Sequence, residues 1–258
     1  MPLREAQAIV LRTYPLKEAD KIVVFFTREY GKCRGVSRGA RRLKNGFGGS
    51  LEPLSEIRVG FFERPRKDLV SIDRCDLESS MMHLAGGDMS RVLSLAYIAE
   101  VADRMLPEHE VNDASYRLLR LVLGKIREGL PVWLPLTYYL YWMVRLGGFL
   151  PSLASCAGCG AAIAADQPAY YAGDGSGLRC RNCRPRQGNE MAASERGLAS
   201  LLARSLAELP GDGWESGRRG RELRRFLHAV IEAQIEAQLK SWKLLEELEN
   251  EPEIQEKL

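Results

Sequence analysis

The stretch GKCRGVSRGARRLKNGFGG, Gly31–Gly49, admits two readings that lead to different folds. GVSRG matches the G-x-S-x-G turn that presents a serine nucleophile between a strand and a helix of a parallel α/β sheet. The same stretch carries six Lys or Arg from Lys32 to Lys44 and no acid, which suits a glycine-rich loop built to hold phosphates. A nucleophile turn requires alternating strands and helices, then an acid and a histidine later in the chain. Here only two strand-like runs precede Ser37, a basic loop follows, and none of His83, His109 and His228 has a recognisable partner. Ser37 is therefore expected to be a strand residue whose hydroxyl could reach a phosphate.

The flanking sequence supports the second reading. AQAIVLRTY, DKIVVFFTRE, GKCRGVSRG, LSEIRVGFFE and DLVSIDRCDLE are short β-branched or aromatic runs separated by turn chemistry. Five strands without an intervening helix predict a small barrel, and the five-stranded OB barrel has this size and presents strands and loops to oligonucleotides. Glu18 and Asp20 in PLKEADKI fit a turn between the first two strands better than an acid/base pair.

From Asp88 the period becomes helical: MSRVLSLAYIAEVADRML places Val92, Leu95, Ala96, Ala99 and Ala102 on one face. ASYRLLRLVLGKIREGL and LPLTYYLYWMVRLGGFL continue as helices, and MAASERGLASLLARSLAEL and ELRRFLHAVIEAQIEAQLKSWKLLEEL follow a glycine- and cysteine-rich interruption. The expected class is α+β: an OB-type barrel over 1–79, a helical domain over 80–150 and 190–248, an inserted four-cysteine module over 151–189, and an acidic, disordered tail over 249–258.

With 258 residues, 45% of them hydrophobic and 8% aromatic, the chain can bury real cores. Its net charge of +3 is unevenly spread: Arg28 to Lys67 holds eleven Lys or Arg against four Glu, a local +7 that leaves −4 for the rest. Such asymmetry suits a polyanion partner. The start MPLREAQ has charges where a secretion signal needs an apolar core, and the uncharged run Gly129–Val144 stops at 16 residues with two prolines. A cytoplasmic, nucleoid-associated protein with no membrane contact is expected.

Cys156, Cys159, Cys180 and Cys183 form C-x2-C-x20-C-x2-C, at the upper edge of the spacing of a four-thiolate zinc site, with two disulfides or a C-x-x-C redox pair as the alternatives. Four protein ligands close the tetrahedron, so one structural Zn(II) is expected. Gly160 allows a tight turn after the second cysteine, and Arg179, Arg181, Arg184 and Arg186 would offset the formal −2 of the site. Cys33 and Cys75 stand apart and are expected to be small core residues. A zinc deaminase is excluded, because no histidine begins H-x-E and neither cysteine pair follows a proline.

The nucleic-acid contacts are expected at Lys32, Arg34, Arg38, Gly39, Arg41, Arg42 and Lys44, with Arg66 and Lys67 in a later turn. Even spacing puts Lys32, Arg34 and Arg38 on one face of an unbroken strand and Cys33 on the other. Phe47, Phe61 and Phe62 are available for base stacking, although one of the adjacent phenylalanines should be core. RRGRELRR, Arg218–Arg225, is a second basic segment that equally fits a plain surface face.

The order of a first strand, a KEAD turn, a T-R-E-Y-G-K hairpin and a G-A-R-R loop in AIVLRTYPLKEADKIVVFFTREYGKCRGVSRGARRLKNGFGGSLEPLSEI, followed by helices interrupted by four cysteines, resembles the bacterial DNA repair RecO family. That resemblance implies an N-terminal OB fold, a helical domain with an inserted zinc module, and a role in recombinational repair, while no set of residues in the sequence assembles an enzyme active site. It further implies binding of single- and double-stranded DNA, annealing of complementary strands, and work with RecR to load RecA onto DNA coated by single-strand-binding protein. DNA contact carries over to Gly39–Arg42 and the basic strand before it, and zinc ligation to the four cysteines. Composition and motifs taken without the resemblance also permit a zinc-containing RNA-binding or transcription accessory factor.

Overall fold

The computed structural model describes residues 3–42, 47, 49–63, 68–82, 86 and 88–250. Five strands, β1 (Leu3–Leu16), β2 (Asp20–Thr27), β3 (Gly31–Ser37), β4 (Glu56–Phe62) and β5 (Leu69–Ser79), close into a barrel in the order β1-β2-β3-β5-β4. All neighbours are antiparallel except β3 and β5, which run parallel through Arg34–Ser37 and Leu69–Ile72. This is the OB topology expected from the sequence.

Alternation sorts the side chains. Ala6, Ala8 and Val10 of β1, Val23 and Phe25 of β2, and Cys33 of β3 point into the barrel, where they meet Val59, Phe61, Ile72 and Cys75. Burial pushes the thiols of Cys33 and Cys75 up to about 12, so both behave as small apolar core residues. Gly35 is required there, because a Cβ would lie 2.6 Å from the Ile72 side chain.

On the other side of β1 and β2, Ile9, Leu11, Val24 and Phe26 are equally buried. Helix α1 (Met89–Met105) packs on β1, and Tyr116 of α2 (Asp113–Arg127) meets Phe26 edge-on at 5.8 Å. The strand pattern of the sequence ends near Ser79 and the helical one begins at Asp88, but the compact unit extends to Leu123 because these outward apolar residues need a cover. On α1 itself Leu95, Ala99 and Ala102 are buried as expected. Ala96 is exposed and Val92 half-buried, and Tyr97, Ile98 and Val101 complete the packed side.

The second compact unit, Gly124–Leu258, holds the end of α2, α3 (Trp133–Leu146), the ribbon β6 (Ala169–Tyr171) with β7 (Asn189–Met191), α4 (Ala193–Leu202), α5 (Arg221–Ile235) and α6 (Lys240–Asn250). α4 is shorter than its periodic sequence, and the Leu202 carbonyl at its end accepts the Trp142 indole N–H at 2.9 Å. The uninterrupted helical pattern of Glu222–Leu248 is two helices. The chain turns at Glu236, which has φ +50°, and the Glu232 carboxylate receives the Leu239 N–H at 2.7 Å. This turn folds α6 back onto α5, so Trp242 stacks on His228 at 4.1 Å and Glu249 reaches Arg224 at 2.7 Å. Arg224 and Glu249 are therefore core residues, where the sequence suggests a surface face and a disordered tail.

Candidate nucleic-acid surface and metal centre

The register of the barrel places the basic loop. Lys21 pairs with Ser37, so the turn between β1 and β2 lies beside the end of β3. Three hydrogen bonds tie that turn to the loop: Gly39 N–H donates to Asp20 Oδ1 (2.9 Å), Arg41 N–H to the Ala19 carbonyl (2.9 Å), and Arg41 Nη1 to the Lys17 carbonyl (3.0 Å). Gly39 has φ +69°, a conformation glycine adopts without steric cost, and Arg42 N–H closes the turn on the Gly39 carbonyl at 3.0 Å. Ala40 and Leu51 anchor the β3–β4 connection in the barrel core. Asp20 thus has a definite role as acceptor for the loop backbone.

Arg38, Arg41 and Arg42 all project from this clamped loop into solvent, and Arg38 has no ion pair or hydrogen bond among the described residues. Lys17, exposed at the apex of the adjoining turn, adds a cation that the sequence reading missed; its position opposite the loop follows only from the strand register. Lys44, Arg66 and Lys67 lie outside the described residues.

Three expectations require correction. Lys32 points outward from β3, as alternation predicts, but it is 7% exposed; its ammonium donates to the Asp103 carbonyl and lies 3.8 Å from the Asp103 carboxylate. Burial lowers its pKa, with Asp103 opposing the shift. Its task is to hold the end of α1 on the barrel, and it is not available to a phosphate. Arg34 is exposed but bound to Glu108 at 2.9 Å. With Arg12–Asp103 at 3.6 Å and Arg28–Asp113 at 2.6 Å, it belongs to a set of ion pairs that spends much of the local positive charge on the segment 103–113. Ser37 is fully buried, and its Oγ has no hydrogen-bond partner among the described residues, so it reaches neither a phosphate nor a base. The stacking candidates are likewise engaged: Phe61 is core and Phe47 packs against it, which leaves half-buried Phe62.

In the second unit the four cysteines converge, with their sulfurs all within 4.8 Å of one another. Cys159 Sγ and Cys180 Sγ are 3.8 Å apart, which matches the edge of about 3.8 Å for a tetrahedron with Zn–S bonds of about 2.3 Å. Gly160, at φ +73°, lets the first pair turn back, and its N–H bonds to the Cys156 carbonyl at 2.8 Å. Cys156 Sγ accepts two backbone N–H groups, from Gly158 and Cys180, each at 3.3 Å. The Cys180 N–H foremost holds the Cys156 thiol down at about 6, while hydrogen bonds with the other thiols, Cys159 first, push Cys183 up to about 12. With four sulfurs within 4.8 Å of one another and no other ligand needed to close a tetrahedron, the residues fit a single metal ion.

The module is bolted to the helices. Arg196 of α4 donates to the carbonyls of Leu153 (2.9 Å), Ile163 (3.2 Å) and Gln167 (3.0 Å), and to that of Ala164. Tyr171 gives its hydroxyl proton to Glu222 Oε2 at 2.9 Å and packs edge-on against Phe226. Neither contact was legible in the sequence. Among the described residues no helix is long and apolar enough to cross a membrane.

Comparison with known proteins agrees with this arrangement. Residues 1–81 match the family model for the N-terminal part of recombination protein O, and residues 86–243 match that for its C-terminal part. A DNA repair protein RecO from Koribacter versatilis is 42% identical over 248 residues, covering 96% of this chain and 100% of the relative. RecO proteins from Symbiobacterium thermophilum (31% identical; 96% of this chain and 98% of the relative) and Anaeromyxobacter dehalogenans (30%; 93% and 94%) are similar along nearly their whole lengths.

Proposed function

The chain belongs to the RecO family of DNA repair proteins, and from that premise we propose that it is a non-catalytic mediator that binds DNA through the Arg38–Arg42 loop and anneals complementary strands. The observation that carries this reading is the clamp of Gly39 and Arg41 onto the Lys17–Asp20 turn, which presents three exposed arginines from a fixed backbone. Cations so placed neutralise phosphates with little ordering cost and lower the repulsion between two strands. Lys17 extends the same surface. Loops of an OB barrel are a recurrent seat for oligonucleotides, and no base-reading element enters from this one, so weak sequence preference is expected.

The four cysteines would hold one structural Zn(II), an ion that suits a closed tetrahedron of thiolates; the support is their convergence within 4.8 Å. Family membership supports action on both single- and double-stranded DNA in the cytoplasm, at the nucleoid, with RecR, single-strand-binding protein and, through them, RecA. The decisive experiment compares the full-length chain on single-stranded DNA and RNA of matched sequence over a range of salt, and then measures the rate at which complementary DNA strands pair. Preference for DNA with accelerated annealing is expected. Preference for RNA without annealing would replace this reading with that of an RNA-binding accessory factor.

A further inference from the structure

The arginines beside the second cysteine pair are expected from sequence to neutralise the metal site, yet the hydrogen bonds to its sulfurs come from the backbone. Cys156 Sγ is bonded by the backbone N–H groups of Gly158 and Cys180, and no arginine donates to a cysteine sulfur among the described residues. Arg181, Arg184 and Arg186 are instead exposed, and none has an ion pair or hydrogen bond among the described residues.

Their platform is rigid. Arg181 lies in the short 3-10 turn Arg181–Cys183, which Cys180 N-caps and Cys183 ends, and Arg184 follows directly. Gly188 passes so close to Pro185 and the Tyr171 carbonyl that a Cβ would lie 2.5 Å and 2.7 Å from them, which pins the far end of the segment. Tyr171 in turn is fixed to Glu222 of α5. Three guanidinium groups within six residues thus leave this short turn and the segment after it for solvent.

We propose that Arg181, Arg184 and Arg186 form a second phosphate-binding surface on the metal module, separate from the barrel loop, for the backbone of a nucleic acid; this rests on the DNA-binding reading above. The chemistry favours a phosphodiester backbone over a protein partner. The exposed side chains of 181–190 are Arg, Asn, Gln and Glu, with no exposed apolar residue to anchor a protein interface. Arginine forks match phosphate oxygens, and presentation from a rigid turn reduces the side-chain ordering that binding requires.

The test uses the full-length, zinc-loaded chain and a labelled oligo-dT, with anisotropy titrations at several salt concentrations. The triple variant Arg181→Gln/Arg184→Gln/Arg186→Gln should bind more weakly and flatten the log–log salt slope by about 2, at ~0.7 released counterions per contact. Zinc content should stay at the level of the unsubstituted protein. If the variant loses zinc, phenylglyoxal labelling of the unsubstituted protein decides: DNA should protect these three arginines, and equal labelling with and without DNA overturns the proposal. An unsubstituted chain that binds DNA, with a zinc-replete triple variant of equal affinity and slope, also overturns it and points to an acidic protein partner. An unsubstituted chain with no affinity for DNA would remove the DNA-binding reading itself.

Discussion

Arg224 Nε and Glu249 Oε1 meet at 2.7 Å in a pair from which solvent is wholly excluded. The same guanidinium donates to Thr137 Oγ1 at 2.8 Å and to the carbonyls of Arg219 and Gly217, and lies over the Trp133 ring at 4.8 Å from its centroid. One arginine thereby joins α3, the turn before α5, α5 and α6. Burial lowers the Arg224 pKa and raises that of Glu249, the sign that desolvation opposes their attraction.

Removing one partner should therefore be severe. Glu249→Ala leaves a buried, uncompensated cation and is expected to cost about 3–5 kcal/mol of stability. The double replacement Arg224→Met/Glu249→Met should remain destabilised by at least about 1–3 kcal/mol, because the carbonyls that Arg224 satisfies lose their donor. Trp133, Trp142, Trp214 and Trp242 all lie in the second unit, so urea unfolding followed by tryptophan emission reads this effect directly. A double variant as stable as the parent would show the network to be dispensable.

His228 provides a pH dependence with a defined sign. Burial against Trp242 depresses its pKa to about 3, although Glu232 Oε1 lies 3.4 Å from Nε2. The unfolded chain takes up this proton near pH 6.5 and the folded chain does not, so stability is present above that pH and lost as pH falls toward 3. Between pH 6.5 and 5 the loss should be about 2 kcal/mol, at ~1.4 kcal/mol per pH unit. His228→Phe retains an aromatic stack and should remove that share of the slope, measured as the difference between the two proteins' denaturation midpoints.

Metal ligation should be local in its effect. Cys156→Ser and Cys180→Ser are each expected to release zinc and loosen the second unit, seen as a red-shifted tryptophan emission. The barrel should survive, since its described core residues lie between Ala6 and Cys75, in the other compact unit. Stoichiometric zinc in both purified variants would refute four-thiolate ligation.

Charge and burial separate the roles of the basic residues. Arg41→Ala/Arg42→Ala should flatten the salt slope of single-strand binding by about 1.4, from two contacts at ~0.7 each. Lys32→Ala should leave that slope unchanged and lower thermal stability, because its ammonium serves Asp103. The reverse pattern in the two variants would return β3 to the DNA surface.

Ser37→Ala offers the opposite case. Its hydroxyl is buried and unsatisfied, so removal should be neutral or stabilising by up to about 1–3 kcal/mol, with DNA affinity unchanged. A weakened complex would mean that the loop opens to expose β3.

Much of this protein is local in origin and was legible from order and spacing. Alternating β-branched runs and turn residues define five strands, and C-x2-C-x20-C-x2-C defines the metal cluster, because both depend on periods and short spacers written along the chain. The distinction between working and structural cations was not legible. Lys32 and Arg38 belong to one basic run, yet one is buried on Asp103 and the other projects into solvent, a difference set by residues some seventy positions away. The break at Glu236 was equally hidden, since no glycine or proline marks it; folding back there buries Trp242 and Leu245 of α6, which a straight helix would leave in water. Sequence by itself determined the five strands and the four-cysteine cluster, through local backbone periods and short spacers. Tertiary packing decided which charges are buried with partners and which stay exposed, because only the closed fold fixes where water is excluded.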